Sequence, residues 1–239
     1  MASANRLNDR IALITGASRG IGAAVAKRFA AEGAYLVLTA RTVGGLEEVD
    51  DAIKEISGRR ATLAPLDITD GHAIDQLGGA LHERFGRLDI LIGNAGSLGE
   101  LSPIGHIEPE VWDTTFAINS TANYRLIRSM DPLLRLSEAG RAIFVTTGAV
   151  RNLNPYWAAY AASKAALEAM VNIYAAEVAH TNVRANLVDP GGQRTAMRAK
   201  AFPGEDPETL PNPDEMTNIF IDLSDSSSNI NGKLFKSYK

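Results

Sequence analysis

A tyrosine and a lysine stand four residues apart in the segment YAASK, as Tyr160 and Lys164. On a helix this spacing makes the phenol and the ammonium neighbours on one face. A free tyrosine has a pKa of ~10, and a nearby cation favours the phenolate and lowers that pKa. We therefore interpret Tyr160 as a general acid and base that Lys164 activates. The same spacing is common on exposed helices without function, so this interpretation depends on the surrounding fold.

A glycine-rich turn, TGASRGIG, occurs near the start of the chain. Its glycines allow backbone N–H groups to approach a pyrophosphate closely, and a helix beginning there adds the positive end of its dipole. The alternative is a tight strand-to-helix connection with no ligand. A strand pattern before the turn and a helix pattern after it favour phosphate binding. The candidate binding residues of the turn are Gly16, Ser18, Arg19, Gly20, Ile21 and Gly22.

Strand and helix patterns alternate along the whole sequence. Short apolar runs predict strands at Arg10–Gly16, Tyr35–Arg41, Ala61–Asp67, Leu88–Gly96, Arg141–Thr147, Val183–Gly191 and Lys233–Tyr238. Helical spacing predicts helices at Gly20–Gly33, Val43–Ser57, Asp70–Phe85, Glu108–Leu136 with a break near Pro132, Pro155–Ala179 capped by Asn154, and Asp214–Leu223. This alternation predicts an α/β fold, a Rossmann-type doubly wound parallel sheet of about seven strands in a three-layer α/β/α arrangement.

The composition predicts one globular unit, and we interpret residues 1–239 as a single domain. One irregular, proline-rich stretch, residues 198–214, is interpreted as a flexible loop that covers the substrate. The chain has no cysteine, which excludes disulfides and thiolate chemistry and suits the cytoplasm. A net charge of −4 gives no basic footprint for nucleic acid, and no apolar run is long enough to span a membrane. The histidines lack metal-ligand spacing, so no metal is expected.

The glycine turn carries one residue more between its first two glycines than the common dinucleotide pattern. That spacing resembles the short-chain dehydrogenase/reductase family, and the resemblance continues from Arg10 to about Thr195. It implies further cofactor contacts, in the same order along the chain as in the family: Asp67 and Ile68 at the adenine, Asn94, Ala95 and Gly96 after the fourth strand, and Pro190, Gly191 and Thr195 at the nicotinamide carboxamide. Gly93 departs from the family, which usually has asparagine at this position.

The end of the second strand favours NADP(H) over NAD(H). An acidic residue there would bind the ribose 2′-hydroxyl and repel a 2′-phosphate, but this segment reads TART. Arg41 can bind the phosphate through paired hydrogen bonds, and Arg19 can approach from the glycine turn. The alternative is that both are solvated surface arginines.

The resemblance also implies the rest of the catalytic set. It assigns Lys164 to the nicotinamide ribose and Asn119 to a water relay that reaches the lysine. The family serine that orients the substrate oxygen is missing, and counting back from Tyr160 places Thr147 there. Its hydroxyl can donate and accept as serine does. A loop one residue shorter would instead place Gly148 there, with no side chain to donate.

These residues imply hydride transfer between NADP(H) and a carbonyl or secondary alcohol carbon of a small molecule. Trp157 stands where the enoyl-reductase branch of the family has its active tyrosine, which disfavours reduction of a carbon–carbon double bond. A second hypothesis is an NADP(H)-binding sensor or scaffold with weak or lost catalysis, because the serine is replaced. The family pairs subunits through two long helices, so a homodimer or homotetramer is expected; the alanines Ala158, Ala162, Ala165 and Ala169 would permit close approach.

Overall fold

The computed structural model describes residues 5–238, which contain a seven-stranded parallel sheet in the order β3-β2-β1-β4-β5-β6-β7. Its strands are β1 (Ile11–Thr15), β2 (Tyr35–Thr39), β3 (Thr62–Leu63), β4 (Ile90–Gly93), β5 (Arg141–Val145), β6 (Arg184–Asp189) and β7 (Leu234–Lys236). The strand order reverses between β1 and β4, the position where doubly wound folds open a crevice at the carboxyl ends of the strands. The predicted fold class is confirmed.

Helices cover both faces of the sheet. They are α1 (Gly20–Ala31), α2 (Val43–Ser57), α3 (Gly71–Phe85), α4 (Pro109–Phe116), α5 (Ala122–Arg135), α6 (Ala149–Asn152), α7 (Ala158–Glu177), α8 (Ala196–Ala201) and α9 (Asn218–Ser224). Phe29 of α1 and Phe220 of α9 lie in the apolar core on one face, and Leu126 of α5 and Leu167 of α7 lie in that on the other. Both faces are therefore buried, and the central strands consist of almost continuous apolar runs. None of the helices described within residues 5–238 is long and apolar enough to cross a membrane.

The predicted helix Pro155–Ala179 begins three residues too early. Helix α7 starts at Ala158, and Asn154 and Pro155 lie in the turn before it rather than at its cap. Leu153 and Tyr156 have φ angles of 50° and 75°. This left-handed conformation cannot continue into a right-handed helix, so the chain reverses here and α6 remains a separate short helix.

The predicted break near Pro132 is wrong. Helix α5 continues past Pro132 to Arg135, since the proline lies in its last turns and removes only one backbone donor. The irregularity lies earlier, where Ala117–Thr121 forms a π-helical turn between α4 and α5. Such a turn inserts an extra residue into the helix and is frequent at functional sites.

Three other predicted elements are shorter or more broken in the structure. Strand β3 covers only Thr62–Leu63, although the N–H of Ala64 still donates to Leu38 of β2 and that of Leu66 to Ala40, just after β2. Residues 198–214 contain the end of α8 and a 3-10 turn at Pro207–Thr209. The helix predicted at residues 214–223 is a 3-10 turn at Pro213–Met216 followed by α9.

Candidate active site

A cavity of about 1000 Å³ opens at the carboxyl ends of the strands. It brings together most of the site residues predicted from sequence. Those that line it are Gly16, Ser18, Arg19, Gly20, Ile21, Arg41, Asp67, Ile68, Asn94, Ala95, Gly96, Thr147, Tyr160, Lys164, Pro190, Gly191 and Thr195. Gly22 and Asn119 are not in contact with the cavity and lie behind its wall.

The glycine turn forms one end of the cavity. Gly16 has φ +63°, and a Cβ there would lie 2.9 Å from the backbone of Ala95, so only glycine fits. Asn94 secures the turn from the neighbouring strand end, because its Nδ2 donates to the main-chain oxygens of Thr15 at 2.9 Å and Gly16 at 3.2 Å. A Cβ on Gly22 would collide with the Gly16 oxygen, which explains the third glycine by packing rather than ligand contact.

The start of α1 faces this turn and suits a pyrophosphate. Its N-cap residue, Arg19, has an extended backbone, and no side chain among residues 5–238 caps the helix there. The first N–H groups of the helix therefore remain directed outward with the positive end of the dipole. These backbone groups fit the phosphates of a dinucleotide.

The far end of the cavity is lined by the C-terminal residues of β2 and the turn after it. Arg19 and Arg41 line it with largely exposed side chains. Thr39 is buried, and its hydroxyl has no hydrogen-bond partner among the described residues, 5–238. Both guanidinium groups fit a phosphorylated ribose. Residues 39–42 contain no carboxylate that would repel a 2′-phosphate.

Asp67 lines the cavity with an exposed side chain. Its Oδ1 accepts hydrogen bonds from the backbone N–H of Thr69 at 2.9 Å and from the Thr69 hydroxyl at 2.7 Å. These bonds hold the pKa of Asp67 below its usual value, and Arg41 contributes to the same shift by its charge. The carboxylate therefore remains charged and oriented beside the following Ile68.

The turn after β6 forms another part of the cavity wall. Gly191 has φ +66°, and its N–H donates to Asp189 Oδ1 at 3.1 Å. Thr195 caps α8 by accepting from the backbone N–H of Arg198 at 3.2 Å, while its methyl group lies close to Gly20. The turn after β6 thus lies close to the glycine-rich turn, and the two turns line one part of the cavity together.

Tyr160 and Lys164 are both buried on the face of α7 that meets the end of β5. Thr147 lies two residues past that strand and lines the same cavity as Tyr160, with its hydroxyl near enough to the phenol to affect its pKa. Thr146 points away, because its hydroxyl donates to Glu168 at 2.6 Å. A Cβ built on Gly148 would face Tyr238, Asp189 and Asn152 instead of the phenol. The hydroxyl beside Tyr160 is therefore that of Thr147.

The pKa values of the pair differ from the sequence expectation. Burial raises the pKa of Tyr160 to about 12; the nearby Thr147 hydroxyl opposes this shift, and the negative charge of Asp189 adds to it. Burial lowers the pKa of Lys164 to about 8, against the smaller opposite effect of Glu168. The predicted lowering of the Tyr160 pKa by Lys164 is thus absent from this site, and the phenol keeps its proton at neutral pH.

Asn119 lies in the π-helical turn and is completely buried. Its side-chain amide exchanges two hydrogen bonds of 2.8 Å with the backbone of Ser97, and its Nδ2 also donates to Ser163 Oγ at 2.9 Å. Lys164 Nζ lies near the Gly96 backbone, next to Ser97. Asn119 therefore fixes the loop after β4 against α7, close to the lysine.

The family departure at Gly93 has a packing explanation. A Cβ at this position would collide with the ring of Phe144 on β5 and would lie 2.7 Å from Asn123 Oδ1 on α5. No side chain fits between these two neighbours, so glycine is required here.

Several residues of the cavity were not predicted from sequence. Trp157 packs against Tyr160 with ring centroids 5.9 Å apart and against Phe202 at 5.7 Å, so Phe202 forms an apolar wall beside the phenol. Tyr238 covers Gly191, and its hydroxyl donates to Asp189 Oδ2 at 2.8 Å. An aromatic residue in the proline-rich stretch was the available signal for Phe202. Nothing local marks Tyr238, which reaches the site through the strand β7.

Among residues 5–238 no three His, Asp or Glu side chains form a group that could hold a metal ion, at the candidate site or elsewhere.

Comparison with known proteins identifies close relatives of this arrangement. The family model of the short chain dehydrogenases matches residues 10–206. The uncharacterized oxidoreductase YciK of Escherichia coli K12 is 38% identical over 224 residues, which span 93% of this chain and 88% of that protein. A short chain dehydrogenase from Shigella flexneri 2a, solved in complex with NADP, shares 37% identity with a TM-score of 0.95, over 98% of this chain and 99% of that one. A short chain dehydrogenase from Escherichia coli CFT073, solved with NADPH, shares 36% identity with a TM-score of 0.95 over the same shares.

Proposed function

This chain belongs to the short-chain dehydrogenase/reductase family of oxidoreductases, and from that premise we propose that it transfers a hydride between NADP(H) and a carbonyl or secondary alcohol carbon of a small molecule. The observation that carries the proposal is that Thr147 and the buried Tyr160 and Lys164, one helical turn apart, line one cavity beside the glycine-rich turn. A protein that only bound the dinucleotide would need no phenol and hydroxyl paired beside it. We further propose that residues 1–239 work as one cofactor-binding domain.

NADP(H) as the cofactor is supported by charge at the end of β2. Arg41 and Arg19 line the cavity there, both with exposed side chains. Guanidinium groups bind phosphate through paired charge-assisted hydrogen bonds, which an unphosphorylated ribose cannot exploit. Two similar proteins were solved with NADP or NADPH, which agrees with this preference. When bound, the reduced cofactor supplies the hydride.

The residues of this chain supply the proton and the orientation. At neutral pH the phenol of Tyr160 is protonated, since its pKa is raised to about 12, so it can donate its proton to a carbonyl oxygen. Thr147 donates a hydrogen bond toward the same oxygen and stabilises the negative charge that develops on it. Lys164 places a buried ammonium beside the loop that carries Gly96, where it can bind ribose hydroxyls.

The wall beside Tyr160 determines what can approach it. Trp157 and Phe202 exclude water from one side of the phenol. A dry site strengthens the hydrogen bonds to the carbonyl oxygen, because the effective dielectric constant is low. We therefore expect substrates that carry an apolar group next to the reacting carbon, because this group can pack against Trp157 and Phe202.

The test is turnover by the purified protein. NADPH absorbance is followed against a panel of aldehydes, ketones and quinones, with NADPH binding measured separately by fluorescence. We expect at least one member of the panel to be reduced, and Tyr160→Phe to lower kcat by ~100-fold or more without loss of NADPH binding. Tight NADPH binding with no turnover of any substrate would support the sensor or scaffold instead.

We also propose that the chain assembles as a homodimer or homotetramer through α5 and α7. Tyr124 on α5 and Ile173 on α7 are 50% and 60% exposed, although both are large apolar side chains. The small alanine side chains on α7 would allow a helix of a second subunit to approach it closely.

A further inference from the structure

Arg151, at the third position of α6, makes contacts that join three elements around the candidate site. Its Nη2 donates to the main-chain oxygen of Thr147 at 2.8 Å and to Asp189 Oδ2 at 2.8 Å. Its Nη1 donates to both oxygens of Glu168, at 2.9 and 3.2 Å. One guanidinium therefore connects the segment after β5, the end of β6 and the middle of α7. The side chain itself does not line the cavity.

The two carboxylates that hold Arg151 are themselves firmly placed. Asp189 has 1% of its side chain exposed, and its other oxygen accepts the backbone N–H of Gly191. Glu168 has 16% exposed and accepts the hydroxyl of Thr146. Because Arg151 donates to fixed acceptors on two sides, the position of its Nη2 is determined by geometry rather than by solvent.

The third group that accepts a hydrogen bond from Arg151 is the main-chain oxygen of Thr147. The Thr147 side chain has one backbone contact of its own, with the N–H of Ala149 at 3.2 Å. The turn that presents Thr147 is thus held from behind by Arg151, while the hydroxyl faces Tyr160 on the other side. A shift of the carbonyl would move the hydroxyl with it, since both belong to one residue.

We propose that Arg151 is a positioning residue, which fixes the Thr147 hydroxyl against the Tyr160 phenol by holding the Thr147 carbonyl between Asp189 and Glu168. This inference rests on the proposed function, because it assigns a role to Thr147 in the same site. Arg151 touches neither the substrate nor the cofactor. It acts through the backbone of the residue that does.

The test is a double-mutant cycle. The variants are Arg151→Met, Thr147→Ala and the pair together, with Arg151→Met/Asp189→Asn added to remove the buried carboxylate charge that Arg151→Met alone would leave unpaired. Arg60→Met is the matched control. Arg60 is also partly exposed and also pairs with a buried aspartate, Asp50 of α2, but it lies in the connection after α2, outside the cavity.

We expect Arg151→Met to lower kcat for an aldehyde of the panel by about 10-fold, as misplacement of a reacting group does. NADPH binding and the KM for NADPH should stay within twofold of the parent in Arg151→Met, and Arg60→Met should keep its kcat. In the Thr147→Ala background, Arg151→Met should lower kcat by less than about twofold, because the hydroxyl it positions is gone. Equal losses in both backgrounds would overturn the proposal.

A crystal structure of Arg151→Met/Asp189→Asn gives a readout that needs no substrate. We expect the Thr147 hydroxyl to move away from the Tyr160 phenol, and an unchanged Thr147 would overturn the inference. If the parent protein reduces nothing in the panel, the proposed function fails, whereas the structure still decides whether Arg151 holds Thr147.

Discussion

Lys164 Nζ donates a hydrogen bond of 2.8 Å to the main-chain oxygen of Val145, the last residue of β5. Tyr160, one turn earlier on the same helix, lies beside Thr147, two residues after that strand end. Both functional side chains of α7 therefore contact the chain within two residues of one strand end. The helix and the strand cannot shift relative to each other without breaking both contacts.

Burial of the Lys164 ammonium predicts a pH-dependent stability. The pKa falls from 10.5 in the unfolded chain to about 8 in the fold, so between these values the unfolded state binds more protons. The free energy of unfolding should therefore rise with pH in this window, relative to Lys164→Met, by roughly 3 kcal/mol in total. Below pH 8 both states are protonated, and the cost of burying the charge is present in full.

Urea denaturation of the parent and Lys164→Met at pH 7, 9 and 10.5 measures this difference. The exposed residue Lys54, on α2, provides the control, and Lys54→Met should differ from the parent by the same amount at each pH. A constant difference between the parent and Lys164→Met across the window would contradict the shifted pKa.

Arg41→Asp should reverse the cofactor preference. A carboxylate at the end of β2 repels a 2′-phosphate and accepts hydrogen bonds from an unphosphorylated ribose. We expect NADPH binding to weaken more than tenfold, equivalent to at least ~1.4 kcal/mol, while NADH binding improves or stays constant. Fluorescence titration with both cofactors measures the two affinities. A parent protein that binds NADH more tightly than NADPH would refute the preference itself.

The assembly prediction is tested by light scattering. We expect a mass of two or four chains at micromolar concentration, and a charge on the exposed face of α7, as in Ile173→Glu, should shift it toward one chain. The change should leave the core of each subunit intact, because the Ile173 side chain is 60% exposed. A parent protein that is monomeric at that concentration would exclude even the dimer.

The sequence predicts the sheet and the cofactor turn because their signals are local. Gly16 and Gly20 mark a turn by their own backbone requirement, and the strands around them are continuous apolar runs. The beginning of α7 escaped prediction because Leu153 and Tyr156 adopt left-handed φ values that neither residue type favours. Only the tertiary contacts of the turn maintain them, among them the bond from the Ser102 N–H to the Tyr156 oxygen.

The ion pairs around the site could not be predicted for a related reason. Arg151 and Asp189 are 38 residues apart, and no spacing rule relates them until β5 and β6 are known to be adjacent. The pKa of Tyr160 was mispredicted in the same way. Helical spacing identifies Lys164 as a neighbour but carries no information about desolvation, which is the largest effect on the phenol in the folded chain.

Substitutions of Thr147 test the residue where this chain departs most from its family. Thr147→Ser keeps the hydroxyl and should retain most of the activity. Thr147→Ala removes the donor and should lower kcat by ~100-fold, comparable to the loss of one oxyanion-hole donor. NADPH affinity should be nearly unchanged in both, because the side chain contacts Tyr160 and not the cofactor end of β2. Steady-state kinetics with NADPH and fluorescence titration separate the two effects.

Tyr160→Phe sets the scale for this comparison, and its loss should exceed that of Thr147→Ala because it removes the proton donor itself. The β-branched side chain restricts the Thr147 rotamer, and in the structure its hydroxyl accepts the Ala149 N–H and lies beside the phenol. Serine at this position is freer, so Thr147→Ser should lose a little rate through hydroxyl orientations that miss Tyr160. If Thr147→Ala turned over substrate as fast as the parent, the hydroxyl would have no part in catalysis, and Tyr160, Lys164 and Asn119 would have to act without it.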